Sequence, residues 1–365
     1  MNMQYLRHNK RTAVFERIKK YLKLLPLLTV ILLVSCKGKP VTVPEYLTVT
    51  HDYITLRGFA LGTYFKVSYK DDKKRDYYDS IKKILNEFEN SLSIYRENSI
   101  ISKVNRNEPV ELDSYFITVF NCAKEISEKT NGAFDISASP IFEIWGWGAK
   151  ERVPVTPELI DSLKQFVGMD KIHVSGRKII KDNPHVTLNI NAIAKGYSSD
   201  VVALFLERHG IGDYLVEIGG EIVVKGKNKD GNNWQIGIEK PADGNMIPGE
   251  ALQAIINIRD KAVATSGDYR KFYVENGKKY AHTIDPKTGY PAKKNILSAS
   301  VVANDCMTAD ALATAFMVMG LDDTKKFTEQ YPDIEVFLIY TDENNEIKEY
   351  CSDNMKNRFV EIKQN

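Results

Sequence analysis

Hydrophobic positions alternate with polar ones in some stretches of the chain and recur at helical spacing in others. Within residues 53–69, Phe65, Val67 and Tyr69 fall on one side of an extended segment, which predicts a strand. Within residues 79–92, apolar residues recur three and four positions apart, which predicts an amphipathic helix. The chain therefore combines β and α patterns from its beginning.

Further elements follow from the same patterns. Helices are expected at 114–130, 157–167, 201–208, 308–320 and 324–330. Strands are expected at 173–174, 178–180, 214–217, 222–224, 234–239, 254–258, 262–265, 297–302, 336–340 and 346–351. A chain of 365 residues suits one large domain or two closely joined lobes. From Asp353 onward the sequence is polar, and residues 353–365 are expected to form a loose tail.

The N-terminal segment reads as a targeting signal. Residues 1–35 contain seven Lys or Arg, and a short apolar run follows from Leu24 to Val34. Eleven residues are too few to span about 30 Å of hydrocarbon as a helix, so a secretory signal is favoured over a membrane span. The run ends in Leu33-Val34-Ser35-Cys36, which is similar to a bacterial lipoprotein cleavage box. We expect residues 1–36 to be a lipoprotein signal with lipidated Cys36, and residues 37–52 to be a tether.

Charge and cysteine content limit the classes of function that the chain can have. The formal net charge is +2, but the basic excess lies in the N-terminal segment, and the remaining chain is mildly acidic. Such a body has no electrostatic footprint for nucleic acid. Cys122, Cys306 and Cys351 have no metal-ligand spacing, and nothing in the sequence supports a disulfide among them. Because no acidic cluster follows Cys36, a periplasm-facing anchor is favoured over surface display, and we expect the anchor in the inner membrane.

Candidate chemistry is concentrated between residues 264 and 320. Asp310 and Thr314 are four residues apart on a predicted helix, so they share one face and offer two hard oxygen ligands for Mg²⁺. His282 precedes a turn marked by Asp285-Pro286 and Thr288-Gly289. An imidazole held there has the pKa class of a general base near pH 7.

Several motifs lie outside this stretch. They are Ala60-Leu61-Gly62-Thr63, Ser93-Ile94-Tyr95 with a later Ser99 and Asn105, Ala133-Phe134-Asp135, Leu188 to Asp200, and Val216-Glu217 with Gly219-Gly220-Glu221. Residues 188–200 resemble a known strand-to-helix junction. A helix N-terminus after a strand has free N–H groups that, together with Lys195, suit a phosphate.

Together with Ser266-Gly267-Asp268-Tyr269, His282-x-x-Asp285-Pro286 and Ala309-Asp310-x-x-x-Thr314, these motifs resemble the ApbE family of FAD:protein FMN transferases in their order along the chain. The resemblance spans about residues 58–320, and we expect one catalytic domain at 53–352. It implies an α+β fold related to the T-fold, with mixed sheets, packed helices, two closely joined lobes and an active site in the cleft. It also implies Mg²⁺-dependent transfer of FMN from FAD to a Thr or Ser hydroxyl, with release of AMP.

The resemblance also assigns roles to single residues. His282 would be the base, and Asp285 would orient it or bind the ribityl chain. Mg²⁺ would be bound by Asp310, Thr314 and the backbone carbonyl of Ala192. FAD would be contacted by Leu61, Tyr95, Ala133, Phe134, Asp135, Asn189, Lys195, Ser266, Gly267 and Ile284. Targets implied by the family are membrane redox subunits of sodium-pumping quinone reductase and Rnf-type complexes.

The sequence departs from the family pattern at three positions. Leu61 replaces a Met and keeps an apolar contact, and Asn189 replaces an Asp and removes a charge. Ala313 stands where family members with two metals have an acidic residue, so one metal site is expected.

Taken singly, each motif also has an ordinary structural interpretation, such as Asp310 capping its helix or His282 as a satisfied core histidine. Two other functions stay open: an FAD pyrophosphatase that releases FMN and AMP, and a lipoprotein that binds FAD without turnover.

Overall fold

The structure is a computed structural model. It describes residues 46–50, 52–149, 152–241, 251–268, 272–275, 278–281, 283–292 and 295–360. For Tyr46 and residues 272–275 and 278–281 it describes the backbone only. Contacts group residues 45–365 into one compact unit. None of the helices in these ranges is long and apolar enough to cross a membrane.

The strands in chain order are β1 (Tyr46–Thr50), β2 (Tyr53–Ala60), β3 (Thr63–Lys70), β4 (Ile172–Ser175), β5 (Lys178–Lys181), β6 (Tyr214–Ile218), β7 (Glu221–Lys225), β8 (Trp234–Glu239), β9 (Leu252–Ile258), β10 (Lys261–Gly267), β11 (Phe272–Glu275), β12 (Lys278–Ala281), β13 (Ile296–Ala303), β14 (Glu335–Thr341), β15 (Ile347–Cys351) and β16 (Phe359–Val360). The helices are α1 (Tyr78–Leu92), α2 (Ile100–Asn105), α3 (Ser114–Lys129), α4 (Ser139–Ile144), α5 (Pro157–Lys164), α6 (Ala194–Arg208), α7 (Cys306–Met319), α8 (Leu321–Gln330) and α9 (Asp353–Lys356). A short 3₁₀ turn covers Met169–Lys171.

A nine-stranded sheet forms the centre of the fold, with the order β1-β2-β3-β6-β7-β10-β13-β14-β15. All of its neighbouring strands pair antiparallel. A three-stranded sheet has the order β16-β9-β8, and β4-β5 and β11-β12 form separate hairpins. Antiparallel sheets with helices on one side define the α+β class that the sequence predicted.

The two faces of the nine-stranded sheet are covered by different layers. On β10, Val263 packs with β8 and β9, including Trp234 and Ile256, in one core cluster. Its neighbours Ala262 and Ala264 belong to two clusters that contain the helices. The alternation follows from the period of two in a strand. The core therefore lies in two layers, one of helices on the sheet and one of sheet on sheet.

The segment 53–69, predicted as one strand, is a hairpin. β2 and β3 pair in register from Tyr53↔Lys70 to Ala60↔Thr63. Leu61 and Gly62 form the two-residue connection, with φ values of 51° and 70°. Two positive φ values are what a tight hairpin turn of this twist requires. The alternating pattern continues through the turn, which is why it read as a single strand.

The polar C-terminal segment is also more ordered than the sequence predicted. Residues 353–356 form α9, and Met355 is fully buried in the cluster between the two sheets. Phe359 and Val360 pair with Ile256 and Ile255 of β9. The last five residues, 361–365, lie outside the described residues. The cysteines at 122, 306 and 351 are free thiols.

Candidate active site

Helices α6 and α7 approach so closely at one point that only glycine fits. A Cβ atom at position 196 would lie 2.2 Å from the carbonyl oxygen of Cys306 and 2.7 Å from the Cβ of Asp310. Across this contact the amide N–H of Gly196 donates to Oδ2 of Asp310, with an N···O distance of 2.9 Å. Gly196 therefore fixes the position of the Asp310 carboxylate relative to the start of α6.

Two carboxylates hold the N-terminus of α7. Asp305 is the N-cap, and its Oδ1 accepts the amide hydrogen of Thr308 at 2.7 Å. Asp200, on α6, accepts the amide hydrogens of Cys306 and Met307, each at 2.8 Å. Burial raises the pKa of Asp200 to about 7, although both amides act in the opposite direction. The caps identify Asp305, and not Asp310, as the residue that begins the helix.

Asp310 and Thr314 lie one turn apart on α7, as their spacing predicted. Asp310 is 4% exposed, and burial raises its pKa against the opposing effects of Lys195 and the Gly196 amide. The Oγ1 of Thr314 lies 3.1 Å from the Oγ of Ser266 on β10. This hydrogen bond brings the predicted metal ligand Thr314 together with the predicted flavin contacts at the end of β10.

A carboxylate and a hydroxyl on one helical face fit a Mg²⁺ ion, which accepts one or two carboxylates and completes its shell with water and phosphate oxygens. Within the described ranges, no group of three or more His, Cys, Asp or Glu side chains is placed to hold a metal. A metal at Asp310 and Thr314 would therefore need oxygens from elsewhere, such as the Ala192 carbonyl and a bound phosphate.

The segment before α6 is not the strand that the sequence predicted. Only Thr187 forms a bridge, with Ala138, and residues 188–193 are irregular. The side chain of Asn105 replaces a strand partner here: its Nδ2 donates to the Leu188 carbonyl at 2.9 Å, and its Oδ1 accepts from the Leu188 amide at 2.8 Å. Asn105 thus anchors the segment that carries Asn189 and Ala192.

Asn189 and Tyr95 take part in the same local network. Asn189 is 4% exposed, and its Oδ1 accepts the amide hydrogen of Asn191 at 3.0 Å. Asn191 in turn donates from Nδ2 to the hydroxyl of Tyr95 at 2.9 Å. Tyr95 is 66% exposed, so its ring is accessible for a stacking contact. An amide at position 189 supports this turn without adding a charge to the segment.

The N-terminus of α6 offers fewer free donors than the sequence predicted. The amide hydrogens of Ala194 and Tyr197 bond to the carbonyls of Ile190 and Ile193, and that of Gly196 bonds to Asp310. A phosphate at this point would therefore depend on the ammonium of Lys195 more than on backbone N–H groups.

Lys195 is held by the loop between β6 and β7. Its ammonium forms an ion pair and hydrogen bond with Oε1 of Glu221, which is 3% exposed. A Cβ at position 219 would lie 3.1 Å from Cδ of Lys195 and 2.9 Å from Cγ2 of Thr63, so Gly219 makes room for the lysine stem. Gly219 and Gly220, with φ values of 64° and 101°, form a two-residue hairpin turn rather than a bulge.

Leu61 lies at the tip of the hairpin formed by β2 and β3. It is half-buried and packs against the two clusters on the helical face of the sheet. The Gly219 amide donates to the carbonyl of Tyr64 at 2.9 Å and ties the two hairpin tips together. The tip that carries Leu61 therefore lies against the Gly219-Gly220 turn, which leaves room for the stem of Lys195.

The Ala133-Phe134-Asp135 motif is a buried turn. Phe134 is a core residue, and Asp135 accepts from the amide and the hydroxyl of Ser137 at 2.7 and 2.6 Å. Burial raises the pKa of Asp135, although the Ser137 hydrogen bonds oppose the shift. The amide of Asn189 donates to the Ile136 carbonyl at 2.8 Å, which joins this motif to the segment before α6.

Residues 283–291 form a turn that is held by its own backbone hydrogen bonds and by contacts with Trp145 and Ile160. The amide hydrogens of Asp285 and Gly289 bond to the carbonyls of Tyr290 and Asp285, and Trp145 donates from Nε1 to the Gly289 carbonyl at 2.9 Å. A Cβ at position 289 would lie 2.5 Å from Cγ2 of Ile160, and its φ is 79°. Ile284, at 3% exposure, belongs to the cluster under this turn.

The start of the turn is tied to the end of β10, since Thr283 donates from Oγ1 to Oδ1 of Asp268 at 2.7 Å. Asp285 uses its own Oδ1 locally, accepting from the Lys287 amide at 2.9 Å. His282, the predicted base, and Cys36, the predicted lipidation site, lie outside the described residues.

The structure thus joins Lys195, Asp310, Thr314 and Ser266 through α6, α7 and β10, and it joins Tyr95 and Asn189 through Asn191. Three residues to which the sequence analysis gave no role support this arrangement: Asn105, Asp200 and Glu221. Each lay inside a recognised motif, but a role for it requires a contact 26 to 106 residues away, which spacing alone does not reveal.

An ammonium beside a carboxylate–hydroxyl pair is a site for a phosphorylated ligand. The family model described as the ApbE family matches residues 61–338, and the chain belongs to this family.

Curated relatives agree with that membership. The chain is 35% identical over 314 residues to the FAD:protein FMN transferase of Vibrio cholerae, covering 84% of this chain and 92% of that protein. It is 38% identical over 307 residues to the FAD:protein FMN transferase of Haemophilus influenzae, covering 80% and 87%. In structure it is similar to the flavin transferase ApbE from Vibrio cholerae, with a TM-score of 0.75, 35% identity, and coverage of 87% of this chain and 100% of that one.

Proposed function

We propose that this protein transfers the FMN part of FAD to a Thr or Ser hydroxyl of target proteins, depends on Mg²⁺ and releases AMP. FMN transfer from FAD to protein is the activity named for its relatives of 35% and 38% identity. The observation that carries the proposal here is the contact of α6 with α7. It joins Gly196, the residue after Lys195, to the carboxylate of Asp310. The charge of Asp310 also helps to raise the pKa of Lys195, so a cation and a carboxylate act on one region, as a metal-bound diphosphate requires.

The reaction exchanges one phosphorus–oxygen bond for another. The acceptor hydroxyl oxygen forms a bond to the phosphorus of the FMN phosphate. The bond from that phosphorus to the bridging oxygen breaks, and AMP leaves with this oxygen. The hydroxyl proton goes to His282 in this scheme, because an imidazole is an effective acceptor near neutral pH. Lys195 supplies positive charge beside the diphosphate, where negative charge increases as AMP departs.

The candidate ligands for Mg²⁺ are Asp310, Thr314 and the Ala192 carbonyl. When bound, the ion would neutralise the diphosphate and orient it for displacement. Asp310 is prepared for this role because the Gly196 amide engages only its Oδ2. Ala313 is fully buried on α7, where it adds no second acidic ligand, in keeping with one metal site.

Location and targets complete the proposal. The basic N-terminal segment, the short apolar run and Cys36 support a lipid anchor on the periplasmic side of the inner membrane. An enzyme held there reaches membrane redox subunits that carry covalent FMN, such as those of sodium-pumping quinone reductase and Rnf-type complexes.

The test uses the protein body from residue 37 onward with FAD, Mg²⁺ and an acceptor domain that contains the target threonine. Covalent flavin is measured by fluorescence of the denatured acceptor, and AMP by chromatography. We expect both products together, and we expect both to be lost in His282→Ala and Asp310→Ala. Matched controls are His173→Ala and Asp322→Ala, which change exposed residues on β4 and α8.

Each other outcome identifies a different function. AMP and free FMN without labelled acceptor would indicate the pyrophosphatase. FAD that binds and stays intact would indicate a carrier. Full activity in Asp310→Ala would refute the metal assignment while leaving the transfer reaction in place.

A further inference from the structure

Glu221 is a buried carboxylate that the proposed reaction does not yet use. It opens β7 directly after the Gly219-Gly220 turn and is 3% exposed. Its Oε1 pairs with Lys195, whereas its buried Oε2 has no hydrogen-bond partner among the described residues. Burying a carboxylate costs free energy unless its charge is paired and its oxygens accept hydrogen bonds.

The loop around Glu221 contacts both the stem and the ammonium of Lys195. Gly219 leaves space for the stem, because a Cβ there would come within 3.1 Å of Cδ of Lys195. Glu221 binds the ammonium at the end of that stem. The loop is itself fixed, since Ser199 on α6 donates from Oγ to the Glu221 carbonyl at 3.0 Å.

We infer that Glu221 is a positioning residue that holds the Lys195 ammonium in place for the diphosphate of FAD. The inference rests on the proposed function. It gives Gly219, Gly220 and Glu221 a common role, which is to orient the side chain of Lys195. Protein kinases use a similar arrangement, in which a Lys that contacts nucleotide phosphates is held by a Glu from another element. Lys195 keeps its contact with the phosphates, and Glu221 acts only through it.

Glu221 also keeps the ammonium charged. Burial lowers the pKa of Lys195, but the negative charges of Glu221 and Asp310 and the hydrogen bond to Glu221 outweigh burial, so its pKa is raised. Without the Glu221 charge, burial would act against fewer opposing groups. The lysine would then lose its proton at lower pH, and it would also lose its fixed position.

The test compares Glu221→Gln, Lys195→Met and the double variant under single-turnover conditions, with FAD affinity measured separately by flavin fluorescence. We expect Glu221→Gln to lower kcat at least tenfold while the Kd for FAD changes less than threefold. In the Lys195→Met background the same substitution should lower kcat less than twofold, because Glu221 then has nothing left to position.

The pH profile adds a readout that a merely structural role would not change. In Glu221→Gln the alkaline limb of kcat should move to lower pH, since the pKa of Lys195 falls. The matched control is Glu335→Gln on β14, which removes a buried carboxylate from its ion pair with Arg358. Its alkaline limb should stay in place, even if the protein becomes less stable.

Two results would overturn the inference: an unchanged kcat in Glu221→Gln, or an equal loss in both Lys195 backgrounds. Failure of the proposed function is a separate outcome, because it would appear as no transfer by the wild-type protein. In that case FAD affinity still reports on the pair, and Lys195→Met should weaken it about tenfold.

Discussion

The amide of Gly196 and the carboxylate of Asp310 are joined by a 2.9 Å hydrogen bond, although 114 positions separate them in the chain. The bond is possible because Gly196 has no side chain and α7 passes directly over it. It sets the position of the one carboxylate proposed for the metal. Helix packing and metal geometry are therefore determined at the same point.

Gly196→Ala tests this contact. The new methyl group would lie 2.2 Å from the Cys306 carbonyl oxygen, so the helices must separate. We expect a loss of about 1–3 kcal/mol in unfolding free energy, as for other overpacked sites. Denaturant unfolding measures it, with Gly212→Ala as the control, because a Cβ there meets nothing within 4 Å. Equal effects of both substitutions would contradict the close contact.

Asp310→Asn tests the metal assignment without deleting the side chain. The amide oxygen can still accept the Gly196 hydrogen, but the negative charge is lost. We expect the half-saturating Mg²⁺ concentration for AMP release to rise about tenfold or more, because an amide is a weaker ligand than a carboxylate. Asp322→Asn, in the exposed first turn of α8, should leave the Mg²⁺ titration unchanged. An unaltered titration in Asp310→Asn would place the metal elsewhere.

Gly289→Ala tests the turn that follows His282 in the sequence. At this position φ is 79°, and a Cβ would lie 2.5 Å from Ile160. Gly176 is a matched control, since its φ of 59° carries a similar backbone penalty but nothing lies within 4 Å. We expect Gly289→Ala to cost about 1–3 kcal/mol more than Gly176→Ala in denaturant unfolding. Similar costs would mean that the turn tolerates displacement from Ile160.

Asp200 makes stability depend on pH. Its folded pKa of about 7 lies above the usual unfolded value of about 3.9, so the folded state binds more protons between these values. The unfolding free energy should therefore decrease as pH rises through this window and level off above it. Asp200→Asn should give a shallower slope between pH 5 and 8 in denaturant titrations. An unchanged slope would assign the pH dependence to other buried acids, such as Glu221.

Local elements were predictable because their signals are local. The spacing of Ile81, Leu85 and Phe88 predicted a helix at 79–92, and the structure has a helix at Tyr78–Leu92 in which all three residues are buried. The hairpin around Leu61 was missed, because a non-glycine residue with φ of 51° carries no clear turn signal. The order of C-terminal residues 353–360 was also missed, because their partner β9 lies about 100 residues earlier.

The candidate site was predictable only where residues share one element. Asp310 and Thr314 could be placed on one face of α7 from their spacing alone. The pairing of Lys195 with Glu221, and the capping of α7 by Asp200, depend on how distant elements pack. A strand-to-helix junction was expected to present free N–H groups, but the Asp310 carboxylate already occupies one of them.

The pairing of β16 with β9 has a consequence for how the protein is made. β9 stays at an open sheet edge until residues 359 and 360 have been synthesised and have folded back onto it. An open edge presents unpaired N–H and C=O groups that can recruit another chain. A product truncated before Asp353 would carry that exposed edge and lack the Met355 side chain beneath it. The two residues of β16 thus protect the sheet against pairing with another chain.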